Sequence, residues 1–190
     1  MNSDVAIVNM ALTRLGQARL SSLAETGKNA QLCNLHYNPT KEELLTSQAY
    51  DFKFSRERAS LAESAELNLT KYQYKYVLPE DCLKVLTIIG SEQFADSTDP
   101  WIKEGKFLYS DTSPCYIKYT KVIENPTEMP QTFIEALYLR LASKVCVNIT
   151  QDQKLFGTIM QEYSAALIVA MAFDGGSSFS DPIPESRWSE

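Results

Sequence analysis

His36 is the only histidine in the chain, and every imidazole-based chemistry would have to pass through it. A zinc site needs further histidine, cysteine or carboxylate partners at ligand spacing, and Cys33 stands alone on the near side. The pattern is that of an ordinary helical histidine beside Tyr37, with no metal. A Ser-His-Asp arrangement is weakened by the same shortage. Neither a Gly-x-Gly-x-x-Gly turn nor a Walker-type loop is present, so nucleotide phosphates have no cradle. Two adjacent acid pairs, Glu42-Glu43 and Glu80-Asp81, supply the residue type that glycoside hydrolysis uses. Among 24 acidic residues such pairs arise by chance. The first reads as solvated helix surface and the second as a turn after Pro79. "KYQYKYVL" (71–78) interleaves tyrosines with lysines, a pattern able to stack bases and neutralise phosphates. As a strand, however, it turns Tyr72, Tyr74 and Tyr76 to one face, toward a sheet interior, and Gln73, Lys75 and Val77 to the other. The expectation is a protein without catalytic residues, metal or cofactor.

The whole chain bounds the remaining possibilities. Its 190 residues suffice for one good core, or one core with a small lobe. The apolar fraction of 44% and charged fraction of 22% are those of a globular protein. A net charge of −6 argues against a protein that grips nucleic acid, which requires clustered cations. The longest uninterrupted apolar run, "AALIVAMAF" (165–173), is far shorter than the roughly twenty residues of a membrane span. With no basic start and apolar leader, export is not expected, and the sequons at Asn68 and Asn148 carry little weight. Cys33, Cys82, Cys115 and Cys146 form no Cys-x-x-Cys pair and read as reduced, mostly buried small hydrophobes.

The elements follow from periodicity. Ser3 or Asp4 caps a first helix carrying Val8, Ala11, Leu12 and Leu15, and Gly16 stops it. A second helical pattern runs from Asn29 to Ala49, and Pro39 predicts either a kink or a fresh helix capped by Asn38 with the proline in its first turn. From Tyr72 the period changes to two. "YQYKYVL", "CLKVLTII" (82–89), "KFLYS" (106–110) and "CYIKYTKVI" (115–123) are strand candidates, separated by turn residues such as Gly90, Asp99-Pro100, Gly105 and Asp111. Helical patterning returns in "TEMPQTFIEALYLRLASKV" (127–145), opened by Pro130. Thr150-Gln-Asp-Gln153 matches a capping box before a last helix over 151–173, ended by Gly175-Gly176.

The predicted architecture is α+β. Residues 1–65 and 126–174 form a four-helix bundle, 66–125 an inserted small antiparallel β-lobe, and 175–190 an extended C-terminal arm. The third helix is apolar almost all round, from Phe133 through Leu141 to Val145, and must be covered on most sides. Any face left over, around Tyr138 and Leu139, is a candidate seam with another subunit. The arm carries Phe179, Ile183, Pro184 and Trp188, which read as anchors on some surface.

Read in order, these segments resemble a family. "IVNMALTRLGQARLSSLAETGKNAQLCNLHYNPTKEELLTSQAYDFKFSRERASLA" is similar to the N-terminal half of the tail tubular protein A family of short-tailed bacteriophages. The shared features are a helix ending in Leu15-Gly16, a serine-bearing loop, an alanine-rich second helix and the aromatic pair Tyr50 and Phe52. The second half agrees through "YVLPEDCL" (76–83), Trp101 before Glu104-Gly105, Tyr119, and Met129-Pro130 with Phe133. Pro39 departs from the pattern.

The resemblance implies a structural virion protein at the head-to-tail junction, made in the host bacterial cytoplasm. It would be a homo-oligomeric ring, usually of twelve copies, between the portal protein and the tail nozzle protein. Double-stranded DNA would pass non-specifically through the bore, with no membrane partner. Twelve copies at −6 give the ring roughly −70 before screening, so an acidic bore would keep DNA from sticking. The arm anchors would contact a neighbouring subunit or the portal. The alternatives are a phage tail hydrolase that cuts glycan or peptidoglycan with a carboxylate pair, and a generic protein-binding module.

Overall fold

Capping and apolar spacing decide where the four helices stand. In the computed structural model, which describes residues 3–89, 96 and 99–176, helix α1 spans Asp4–Arg14. The Ser3 hydroxyl accepts the Ala6 N–H at 3.2 Å, satisfying one of the unpaired donors of the first turn. Gly16 takes φ +68°, a left-handed conformation that reverses the chain while Gln17 N–H reaches back to the Leu12 carbonyl at 2.9 Å. Asn9 then holds the following loop by exchanging two hydrogen bonds with the backbone of Leu20.

Helix α2 spans Lys28–Leu45 and runs unbroken through Pro39. Proline denies the Leu35 carbonyl its helical donor, but Leu35 is exposed and solvent can complete it. The Thr40 hydroxyl donates to the His36 carbonyl at 2.6 Å, reinforcing the turn around the proline.

Helices α3 (Gln131–Thr150) and α4 (Gln153–Gly176) are joined by only Gln151 and Asp152. The predicted capping box is displaced here. Thr150 is still helical in α3, and its hydroxyl donates to the Cys146 carbonyl at 2.9 Å. Gln151 adopts φ 57°, and Asp152 becomes the cap, accepting the N–H groups of Lys154 at 2.8 Å and Leu155 at 3.0 Å. A carboxylate also complements the positive end of the helix dipole, which a threonine does not.

The fold is α+β with four helices and two antiparallel sheets, but the expected four-helix bundle with one small β-lobe is not what forms. The close helix packing runs through α3, on which α1, α2 and α4 each lie. The reason is the sequence of α3: Phe133, Ile134, Leu137, Leu141, Ala142 and Val145 are all fully or almost fully buried, and they point to different sides. A hub with three companions buries such a helix, whereas in a square bundle each helix shows one face to solvent.

The strands are β1 (Arg56–Ser60), β2 (Ala62–Glu63), β3 (Tyr74–Val77), β4 (Cys82–Ile89), β5 (Trp101–Glu104), β6 (Phe107–Ser110) and β7 (Tyr116–Lys121). They form a three-stranded sheet in the order β1-β7-β4 and a four-stranded sheet in the order β2-β3-β6-β5. Tyr76 and Leu108 from the second sheet share a core with Val85, Ile88, Ile117 and Tyr119 from the first. Pairing begins at Arg56, ahead of the expected start of the lobe at residue 66, because β1 ("RERAS") docks along β7 in full register.

A cluster of rings joins the helical core to the chain entering β1. Phe52 lies 5.0 Å from Phe133, 5.1 Å from Tyr50 and 5.6 Å from Phe54, centroid to centroid. Phe52 is fully buried, so truncation leaves a cavity at this junction. We expect Phe52→Ala to lower the unfolding free energy by about 3–5 kcal/mol, measured by urea titration. A loss below about 1 kcal/mol would mean the cluster can collapse around the gap.

Candidate functional site

The residue types able to do chemistry are placed apart. Cys33 is buried in the helical core, where loss of water pushes its thiol up to about 11. His36 is half-buried three residues on. Tyr37 donates its hydroxyl to Asp4 at 2.7 Å, and burial together with that carboxylate raises its pKa. Among the described residues, no three histidine, cysteine, aspartate or glutamate side chains converge as a metal site would need.

The two acid pairs are each split between different tasks. Glu43 receives Arg140 at 2.7 Å and Lys144, binding α2 to α3, while Glu42 is exposed. Asp81 accepts the Tyr119 hydroxyl at 3.2 Å, and burial plus this carboxylate pushes Tyr119 up to about 12. Glu80 is exposed in a turn. The interleaved tyrosines behave as strand logic predicts, with Tyr72 and Tyr76 buried and Tyr74 half-buried. Lys75 does not: it is buried, beneath the loop that precedes β3, with Glu66 as its partner at 2.9 Å.

The two residues expected to mark a subunit seam separate. Leu139 is 3% exposed and belongs to the helical core. Tyr138 is half-buried and lines an open groove of about 840 Å³ between α1 and α3, together with Asn9, Met10, Arg14, Arg19 and Glu135. Arg14 is bound across this region to Glu162 at 2.6 Å. Most of the apolar surface of α3 is thus covered inside the chain, with Val147 left 43% exposed near its C-terminal end. Phe179, Ile183, Pro184 and Trp188 lie outside the described residues.

Several exposed apolar side chains gather on one helix, α4. Its inner side, with Ile159, Ala166 and Ala170, packs into the helical core. Its outer side exposes Ala165, Ile168, Val169, Ala172 and Phe173, with Ile168 66%, Val169 54% and Phe173 58% exposed. From Tyr163 to Phe173 the helix carries no charge at all. In the most apolar 18-residue window of α4, mean hydropathy 1.4, only 11% of residues are buried. The sequence shows "AALIVAMAF" as an apolar run without assigning it an exposed face. At 3.6 residues per turn, eleven consecutive uncharged residues cannot all face one neighbour.

This face is held in place at its end. Asp174 is buried and accepts the Lys53 N–H at 2.8 Å and the Tyr50 hydroxyl at 2.9 Å. The Lys53 ammonium donates to the Gly175 carbonyl at 2.9 Å. By length and composition α4 could also cross a membrane. Its two acidic residues, however, are engaged by this chain, Glu162 by Arg14 and Asp174 by the loop before β1. A contiguous exposed apolar patch of this kind makes the outer side of α4 the candidate docking surface. No protein-family model and no curated protein matches the chain.

The ion pairs that brace this arrangement have a pH signature. Burial alone would raise the Glu43 carboxyl, but Lys144 and Arg140 outweigh it, and Arg14 likewise holds Glu162 below its usual value. A carboxyl with a depressed folded-state pKa stabilises the fold above its unfolded value, and that contribution is lost as pH falls through the folded one. Stability is therefore expected to decline from about pH 4.5 downward. Urea midpoints of Glu43→Gln should decline less steeply there than those of the parent chain; identical slopes would exclude the Glu43 bridges as a cause.

Proposed function

We propose that this chain is a structural protein of a short-tailed phage virion, a head-to-tail adaptor. Its copies assemble into a ring between portal and tail nozzle, and double-stranded DNA passes through the bore. The observation that carries this reading is the outer face of α4, an uncharged apolar stripe in a chain of net charge −6. Such a stripe costs a lone chain solubility, whereas a subunit of an assembly buries it on association. The resemblance in the order of segments to the tail tubular protein A family supplies the identity of the assembly. The chemistry-bearing residues support a structural role as well, since Glu43, Asp81, Tyr37 and Lys75 are spent on holding elements together.

Native mass spectrometry of the chain, alone and mixed with portal protein, tests the proposal. A closed ring in either mixture is the expected result. Ile168→Glu with Phe173→Glu should abolish that ring while leaving the thermal unfolding midpoint within a few degrees, because both side chains are already solvated in the single chain. A chain that remains monomeric in both mixtures would refute the adaptor role.

A further inference from the structure

The loop between β2 and β3 carries two leucines outward, Leu67 at 77% and Leu69 at 86% exposure. Its polar atoms are turned inward instead. Asn68 accepts hydrogen bonds at Oδ1 from the Thr70 N–H at 2.9 Å and the Thr70 hydroxyl at 2.8 Å, and donates Nδ2 to the Tyr72 carbonyl at 2.8 Å. Beneath the loop, the Lys75 ammonium donates to the Glu66 carboxylate at 2.9 Å and the Leu67 carbonyl at 3.4 Å, over the Phe107 ring at 3.9 Å. The sequon at Asn68 is therefore an internally bonded turn. The loop is held in shape before any partner arrives, which removes much of the ordering cost of docking. Two solvated leucines on a braced support form an apolar knob.

We infer that the knob of one copy seats on the outer face of α4 of the next, so that subunits join head to tail. The inference rests on the reading of α4 as a copy-to-copy surface and names what covers it. Size is the first support. Leu67 and Leu69 with Ile168, Val169 and Phe173 expose on the order of 600 Å² of mostly apolar surface. That is the scale of the apolar centre of an interface of about 1,200–2,000 Å². Charge is the second. Glu63 is exposed at the base of the knob, while the exposed Arg56 acts electrostatically on the Tyr50 hydroxyl that Asp174 holds at the C-terminal end of α4. Two α4 faces laid against each other would pair no charges along the stripe.

Symmetry is the third support. Knob and face are different parts of the chain, so their contact leaves a knob and a face free at the two ends. It repeats from copy to copy and closes into a ring where the rotation allows. A lipid surface fits less well as the cover, because α4 has no lysine or arginine between residues 155 and 173 and the chain is acidic overall.

Cysteine pairing tests the contact directly, in whichever mixture assembles, with the parent chain as control for its four native thiols. Leu69→Cys and Ile168→Cys proteins, mixed and mildly oxidised, should give a disulfide-linked dimer that neither gives alone. Self-linking of Ile168→Cys, or no mixed product from an assembled sample, overturns the inference. Leu67→Glu with Leu69→Glu should raise the dissociation constant at least about 30-fold, the scale of a hot-spot pair. If Ile168→Glu abolishes association and the knob variant does not, the knob is the wrong partner while the α4 reading stands. If neither variant matters, or the chain is monomeric throughout, both readings fail. Sedimentation with phosphatidylcholine vesicles in place of self-association also overturns the inference.

Discussion

A helix with apolar residues on every side cannot be left against water, and that constraint organises the chain. α3 places Phe133, Ile134, Leu137, Leu141 and Val145 around its circumference, and covering all of them takes more than one neighbour. α1, α2 and α4 supply three sides, and the Phe52 cluster closes a fourth at the N-terminal end. Polar contacts then fix the angles of approach. Glu43 binds α2 to α3 through Arg140 and Lys144, Arg14 of α1 holds Glu162 of α4, and Asp174 locks the end of α4 to the chain entering β1. Because the exit of the helical core is pinned there, β1 and everything paired to it inherit their placement from α3.

The same constraint explains the outer face of α4. A hub needs its companions only on their inner sides, and a companion has no reason of its own to be apolar outside. α2 follows this rule apart from the single exposed Leu35, showing Gln31, Asn34, Asn38 and Glu42 along its outer surface. α4 does not. Its uncharged stretch continues on the solvent side through Ile168, Val169 and Phe173, beyond anything the fold requires. Surface that folding does not use, and that solubility disfavours, is the surface the proposed association would bury.

Much of this was legible in the residues. Ser3, Gly16 and the apolar spacing of the helices specify their own ends and inner faces, and the alternation in "YQYKYVL" specifies which tyrosines go inside. The misses have physical causes. β1 is "RERAS", charged and without alternation, and becomes a strand only because β7 offers it a ladder; tertiary pairing overrode propensity. Lys75 sits on the expected outer side of β3, but a loop folds across it and an ion pair with Glu66 satisfies the charge. Thr150 and Asp152 both suit a cap, and the left-handed turn at Gln151 decided between them. The assignment of Tyr138 and Leu139 to a seam missed because an all-round apolar helix says only that cover is needed, not whether this chain provides it. Exposure of α4 is a property of the packed chain, and only the count of uncharged residues in 164–173 hinted at it.

The central claim is that α3 is completed within one chain and that the outer face of α4 is completed by another. Hydroxyl-radical footprinting read by mass spectrometry, comparing dilute chain with the assembled form, addresses both halves at once. The account predicts that oxidation of Ile168, Val169 and Phe173 falls several-fold on assembly while Tyr138 is labelled equally in both states. Unchanged labelling of Phe173, with protection appearing instead at Tyr138 in the groove beside α1, would contradict it.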